Sequence, residues 1–412
     1  MRVLMFGWEF PPHQAGGLAT ATVGLVKGLV GNGTDVVLTV PFPVDVNPVP
    51  GLRLLGAPGE PSVATHRVAS PLEPYASAER YQEVFRRTVA AQPGNRAVYG
   101  RDLFAEVDRF AAAARQLASR ERHDVIDAHD WITFPAGIAA RAVSGRPFVA
   151  HLHATEYDRT GGPGNPAIRE REGAGLLAAD RVICNSRRLA EQCVQLFGVD
   201  PARVDVVHWG IDAAPAPDAA DPTPPGRGPV VLFLGRVTSQ KGPDYFIEMA
   251  ARVVPLVPDC RFVVAGGGDM LPGLMEQVAA LGLTHRVRFA GGLAGPEVTR
   301  AFRSADVCVM PSRSEPFGLV ALESLLAGTP CIMPRQAGVA EVVRNAFKVD
   351  HWDVDDIANK VVALLRHRVL RQELSARGRE ELALPRFGLA EPARLTETSY
   401  RRALAGARRL HA

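Results

Sequence analysis

The sequence predicts an α/β protein built as two doubly wound parallel sheets, each covered by helices and facing the other across a cleft. Three observations carry this reading. Short β-branched runs alternate with helical patterns nearly throughout the chain. Residues 213–229, AAPAPDAADPTPPGRGP, break that rhythm with a Pro-, Ala- and Asp-rich stretch, after which it restarts. The 412 residues also exceed one ordinary core, which leads to two domains of roughly 150–200 residues each.

In the first domain, residues 1–212, the strand candidates are RVLMF (2–6), DVVLTV (35–40), DVIDAH (124–129), PFVAHL (147–152), RVICNS (181–186) and VDVVHW (204–209). Between the first two, GLATATVGLVKGLVGNG puts Leu18, Leu25, Val26 and Leu29 on one helical face. Gly31-Asn32-Gly33 stops that helix. Residues 41–120 are less regular; 76–119 reads as helical and polar on one face, with no chemistry assigned. The segment 213–229 is the linker. The second domain, 230–388, offers VVLFLGR (230–236), RFVVAGG (261–267), VRFAG (287–291), DVCVMPS (306–312) and PCIMP (330–334) as strands. Residues 389–412 end in a basic helix, SYRRALAGARRLHA, which reads as solvated rather than seated on an anionic membrane surface.

Composition excludes several classes. The chain is 47% hydrophobic and 22% charged, as soluble globular proteins are, and a net charge of +3 gives no reason for nucleic acid as the main partner. Cys184, Cys193, Cys260, Cys308 and Cys331 lie singly in apolar runs with no CxxC pair, which fits a reduced, cytoplasmic setting without a disulfide framework or zinc site. No h-region follows the N-terminus, and no apolar run approaches the roughly 18–20 residues of a membrane span.

Open α/β sheets hold ligands beyond the carboxyl ends of their strands, so polar residues just after strands are the site candidates. Four segments qualify. PPHQAGGLA (11–19) puts Gly16 and Gly17 before a helix start, where backbone approaches an anion closely, although a plain tight turn reads equally well. GRVTSQKG (235–242) brings Arg236 and Lys241 to another helix start, a fork and a point charge suited to a diphosphate. It lacks the GxxxxGK[ST] of a phosphate-binding loop of NTPases. DAHDW (127–131) and HLHATEYD (151–158) place Asp130 and His153 toward the cleft as partners for sugar hydroxyls. His129 and His151 make a metal conceivable there, but strand alternation sends those two into helix packing, and no metal is expected.

PSRSEPFGLVALESLLAGTP (311–330) is the fourth. Glu315 falls in the loop, and Glu323 faces inward on an otherwise apolar helix, where a carboxylate requires donors such as a ribose diol. The N–H groups of Phe317, Gly318 and Leu319 open that helix toward a phosphate or sugar oxygen. Two decoys are set aside. GGGD (266–269) lacks GxGxxG spacing and reads as a strand–helix turn, and in DVDD (353–356) Asp353 reads as an N-cap with Asp356 at N3.

Together these segments resemble glycosyltransferase family 4, the retaining GT-B enzymes, and within it the glycogen and starch synthases. The match rests on MRVLMFGWEFPPHQAGGLA, HDW, the His153 segment, VVHWGID, FLGRVTSQKG, VRFAGGL and PSRSEPFGLVALESLLAGTP, spread over residues 1 to about 345. Two positions depart from the synthases: Gln14 stands where they carry lysine before the Gly-Gly pair, and Phe317 where they carry cysteine. The resemblance implies that Glu315 holds the donor sugar and Glu323 the ribose, while Arg236 and Lys241 neutralise the leaving diphosphate with help from Gly16, Gly17 and the 317–319 backbone. It implies that Asp130 and His153 touch the sugar, that the base lies near Arg288–Gly291, and that the last helix returns to the first domain. It further implies no metal and no cofactor beyond the nucleotide diphosphosugar as co-substrate, with a carbohydrate or other hydroxyl acceptor. The implied reaction is retaining transfer of a hexose, glucose in the synthases, to an α-glucan. Its rivals are a hexosyl- or mannosyltransferase with a lipid or small-metabolite acceptor, a sugar-nucleotide epimerase, and a non-catalytic binder.

Overall fold

The computed structural model describes residues 1–11, 17–42, 47, 49–57, 103–212 and 228–410. The expected glycine at position 16 and nearly all of the 213–229 linker lie outside the described residues. The chain divides into two compact units, Met1–Val207 with Leu389–Ala412, and His208–Gly388.

The first unit runs β1 (Arg2–Phe6), α1 (Gly17–Gly31), β2 (Asp35–Val40), β3 (Arg53–Gly56), α2 (Leu103–Arg120), β4 (Val125–His129), α3 (Phe134–Ser144), β5 (Phe148–Leu152), α4 (Glu156–Thr160), α5 (Pro166–Ala178), β6 (Arg181–Cys184), α6 (Arg187–Phe197) and β7 (Val204–Val206). The second comprises β8 (Val230–Leu234), α7 (Pro243–Val253), β9 (Arg261–Ala265), α8 (Leu271–Ala280), β10 (Val287–Gly291), α9 (Pro296–Arg303), β11 (Val307–Val309), α10 (Leu319–Leu326), β12 (Cys331–Pro334), β13 (Phe347–Val349), α11 (Val354–Arg366) and α12 (Arg368–Leu382). The last helix, α13 (Ala390–Leu410), belongs to the first unit and packs on α1.

Both sheets are parallel. The first has strand order β3-β2-β1-β4-β5-β6-β7 and the second β10-β9-β8-β11-β12-β13. Each reverses direction of winding once, between β1 and β4 in the first sheet and between β8 and β11 in the second. Such switch points open a crevice at the strands' carboxyl ends. In the first sheet, Leu4, Phe6, Ile126, Ala128, Phe148, Ala150 and Leu152 pack toward α2, α3, α5 and α6. Val3, Met5, Val36, Leu38, Val125 and Val149 form the opposite face with Tyr400 and Ala403 of α13. This period-two division lets side-chain parity alone fix which face a residue of β4 or β5 joins.

The boundaries differ from expectation in ways the caps explain. The strand expected over 181–186 ends at Cys184 because Ser186 turns to cap α6, its side chain accepting the Leu189 N–H. Residues 208–212 belong to the second unit rather than the first. There His208 Nε2 lies 2.7 Å from Glu341 Oε2, and the Ile211 N–H donates to Phe387 O at 2.7 Å. Asp353 caps α11 through the Asp356 N–H, so DVDD is helix chemistry as the sequence suggested.

Candidate active site

At the switch point of the second sheet, the loops after β8 and β11 meet. After Leu234 the chain passes Arg236 and makes one 3₁₀ turn, Ser239–Lys241, before α7. Gly242 closes that turn with φ +64°, and a Cβ there would lie 2.2 Å from Pro311 O, so only glycine lets the turn seat on the β11 loop. Backbone bonds then fasten the two loops: the Arg313 N–H donates to Gln240 O at 2.9 Å. The Arg313 guanidinium forks onto Asp244 Oδ1 and Oδ2 at 2.8 and 2.5 Å and stacks over Tyr245 at 4.3 Å.

This fastening brings Lys241 to Glu315. The ammonium donates to Glu315 Oε2 at 2.7 Å, and Ser312 Oγ donates to the same oxygen at 3.0 Å. Glu315 is buried and its backbone is held in turn, since the Gly338 N–H donates to Glu315 O at 3.0 Å. Arg236 is tied to the same turn, its Nη2 donating to Oε1 of Gln240, the residue before Lys241, at 2.8 Å. The loops bring the expected Lys241 and Glu315 together and hold the expected Arg236 on the same turn; Gln240, Ser312 and Gly338, which fasten them, were not among the residues the sequence singled out. The polar SQ and S positions flanking the cations were the available signal.

Phe317 turns its ring inward against Trp209, with centroids 5.4 Å apart, and leaves the loop backbone to begin α10. Gly318 is the N-cap with φ +113°, and no side chain caps the helix start at Leu319. Such a start carries N–H groups and a positive dipole end. Glu323 stands one turn further along, half-buried, and among the described residues no donor or cation reaches its carboxylate. Burial pushes its carboxyl up to about 7.

GGGD plays a supporting part. A Cβ on Gly266 would lie 1.8 Å from Gly235 O, and the Val237 N–H donates to Gly267 O at 2.8 Å, so the glycine turn lets the β9 loop lie directly on the loop that carries Arg236. Arg288 is exposed on β10, the outer strand. The end of that strand joins the same assembly through the Gly266 N–H, which donates to Gly291 O at 2.7 Å.

In the first unit, Gly17 opens α1 and a Cβ there would meet no described atom within 4 Å, so packing does not demand the glycine. Asp130 follows β4 with φ +60°, and its Oδ1 accepts the His153 N–H at 2.6 Å and the Ala154 N–H at 3.4 Å. This carboxylate therefore holds the turn after β5. His153 is buried, its carbonyl accepting from Asn185 Nδ2 at 2.9 Å and its Nε2 lying 2.8 Å from His129 Nδ1.

The expected separation of the histidines is corrected here. His151 and His153 share parity on one strand, and His129 pairs in register with His151, so all three face the same side of the sheet. Asp127 joins them: its Oδ2 lies 3.5 Å from His129 Nε2 and 3.6 Å from His151 Nδ1, and it accepts from Tyr400 Oη at 2.5 Å. Sequence reasoning missed Asp127 and Tyr400; a charged residue two places before His129 in a buried strand was the available clue.

The segment after β5 is also anchored. Thr155 and Asp158 form a capping box on α4, and Asp158 takes Arg188 Nη2 at 2.9 Å. Arg159 bridges Glu156 and the fully buried Glu172, whose carboxyl burial pushes up to about 7 against the pull of Arg159.

Two parallel doubly wound units, with cations and carboxylates at the switch point of the second, define the class as a GT-B glycosyltransferase. The family described as Glycosyl transferases group 1 matches residues 218–381, and Glycosyltransferase Family 4 matches residues 15–214. A glycogen synthase of Mycobacterium tuberculosis is 31% identical over 359 residues, covering 84% of this chain and 80% of that protein. A D-inositol 3-phosphate glycosyltransferase of a Mycobacterium species is 34% identical over 287 residues, 64% of each. Among solved structures, sucrose-phosphate synthase from Thermosynechococcus elongatus superposes with a TM-score of 0.75 at 22% identity, over 98% of this chain and 99% of that one. The chain belongs to the GT-B glycosyltransferases of family 4, a family that includes the glycogen synthases.

Proposed function

We propose that the protein is a retaining, metal-independent hexosyltransferase that moves a hexose, glucose in the first instance, from a nucleotide diphosphosugar to a hydroxyl acceptor such as an α-glucan. The observation that carries this is the constellation of Lys241 on Glu315, Arg236 on the neighbouring Gln240, and Glu323, which no described donor reaches, behind an uncapped helix start.

In this reading Arg236 and Lys241 stabilise charge as it develops on the leaving diphosphate, which is the part a divalent cation plays elsewhere. Glu315, already fixed by two donors, receives hydroxyls of the sugar. Glu323 takes the ribose diol, and the Phe317–Leu319 backbone meets phosphate. The family resemblance extends the donor contacts to Gly17 and His153. The departing phosphate oxygen takes the acceptor's proton on the same face, so no protein nucleophile is needed and configuration is kept.

A second reading keeps the donor chemistry and changes the acceptor to a phosphorylated small metabolite. The match to a D-inositol 3-phosphate glycosyltransferase favours it. A panel of ADP-, UDP- and GDP-hexoses scored by thermal shift, then turnover with an α-glucan and with inositol phosphates, separates the two. The expected result is donor-dependent stabilisation, retained anomeric configuration, turnover undiminished by EDTA, and loss of about 10²-fold or more in kcat for Lys241→Ala. Full turnover by that variant with every active donor would refute the diphosphate assignment.

A further inference from the structure

We infer that Tyr400, Asp127 and His129 act as positioning residues, a buried relay that fixes the tautomer and orientation of His153. The catalytic meaning of this inference rests on the function proposed above, whereas the relay itself does not.

The strand parity of β4 and β5 places Asp127, His129, His151 and His153 on the face that α13 covers. All four are buried, and Tyr400 enters from α13 as one of the largest fully buried side chains. A carboxylate on an apolar face is costly unless donors surround it. Tyr400 Oη donates to Asp127 Oδ2 at 2.5 Å, and His129 Nε2 and His151 Nδ1 face the same oxygen from 3.5 and 3.6 Å, longer than a hydrogen bond but within reach of its charge. Burial alone would push the Asp127 carboxyl up, but the neighbouring imidazoles outweigh burial and hold it well below the usual carboxylate range.

An ionised Asp127 then dictates where the ring protons lie. A nitrogen lone pair facing a carboxylate is repelled, so His129 presents Nε2–H and His151 presents Nδ1–H to it. With that proton on Nε2, His129 turns Nδ1 away from the carboxylate as an acceptor, and the atom 2.8 Å from it is His153 Nε2. His153 is therefore the donor of that bond and holds the Nε2–H form. Burial lowers the basicity of His151 and His153. The backbone of His153 is fixed independently, by Asp130 on its N–H and Asn185 on its carbonyl. Ring and backbone of one strand-end residue are thus held by β4, by the end of β6 and by the last helix of the chain.

The test uses full-length protein labelled with ¹⁵N-histidine, with long-range ¹H–¹⁵N correlations reporting the tautomer of each ring and His153→Gln supplying the assignment. The expected spectrum shows His153 as a single Nε2–H tautomer. Asp127→Asn, and Tyr400→Phe as the milder variant that removes only one oxygen, are expected to turn it into a mixture. In turnover assays Tyr400→Phe is expected to lower kcat about tenfold with the donor KM unchanged within about twofold. Three results would each overturn the relay: His153 as Nδ1–H, a tautomer unaltered in both variants, or a stoichiometric divalent metal held by Asp127, His129 and His151 in the purified protein. If no donor and acceptor pair gives transfer while the spectrum is as expected, the proposed function fails and the relay stands.

Discussion

The raised carboxyl of Glu323 makes stability depend on pH in a direction opposite to the usual carboxylate. Burial moves it from an ordinary 4.5 to about 7, a difference of 7 − 4.5 = 2.5. At about 1.4 kcal/mol per unit this amounts to about 3 kcal/mol, an upper figure because the side chain is only half-buried. The sign follows from proton counts. Between 4.5 and 7 the folded state binds more protons than the unfolded chain, so stability is fully present below about 4.5 and is lost as pH rises through about 7. Glu323→Gln keeps the shape and removes the titration. It is expected to match the parent near pH 5 and to exceed it at pH 8 by up to about 3 kcal/mol, or up to about 10 °C in the transition of a unit this size. Calorimetry of both proteins from pH 5 to pH 8 measures this, and the similar contribution of Glu172 cancels in the difference. A difference that does not grow with pH, or a variant less stable at pH 8, would refute the desolvated carboxylate. Donor hydroxyls on Glu323 would favour its ionised form, so nucleotide binding at pH 6 is expected to release a proton, visible as a dependence of binding heat on buffer ionisation enthalpy.

Two further outcomes test the packing behind the site. Gly242→Ala puts a Cβ 2.2 Å from Pro311 O at φ +64°, and is expected to cost about 2 kcal/mol or more and to weaken donor binding, read by denaturant titration and thermal shift. All five cysteines are buried, with the Cys260 thiol pushed up to about 12 by burial and Cys184 and Cys193 only 3.5 Å apart. Ellman's reagent at pH 8 is accordingly expected to titrate five thiols after denaturation and none at once in the native protein. Rapid reaction of any of them would contradict the packing of the sheets that carry them.

The candidate site of the second unit was largely legible because its residues sit where sequence pattern and sheet topology agree. Arg236, Lys241, Glu315 and Glu323 follow strands or open helices, and strand ends can be read from β-branched runs. What could not be read is what fastens them. Gln240, Ser312 and Gly338 are polar or small residues in loops, and their significance lies in a backbone register that only the meeting of two loops creates. The missed strands β3 and β13 show the same limit from the side of the fold. Both are short outer strands, RLLG and FKV, which lean on a single neighbour and carry no long apolar run of their own.

The first unit shows where pattern reading fails by being too local. Alternation read residue by residue separates His153 from His129 and His151. Yet positions 151 and 153 share a face by that same rule, and the register of β4 against β5 brings position 129 beside them. Asp130 illustrates the converse. A lone polar residue after a strand looks available for a ligand, but its φ of +60° places the carboxylate onto the next strand's turn. Its Oδ1 thereby fixes the backbone that presents His153. A strand-end filter identifies where a site is; whether a residue there meets the ligand or holds its neighbour depends on which donors the fold has already turned toward it.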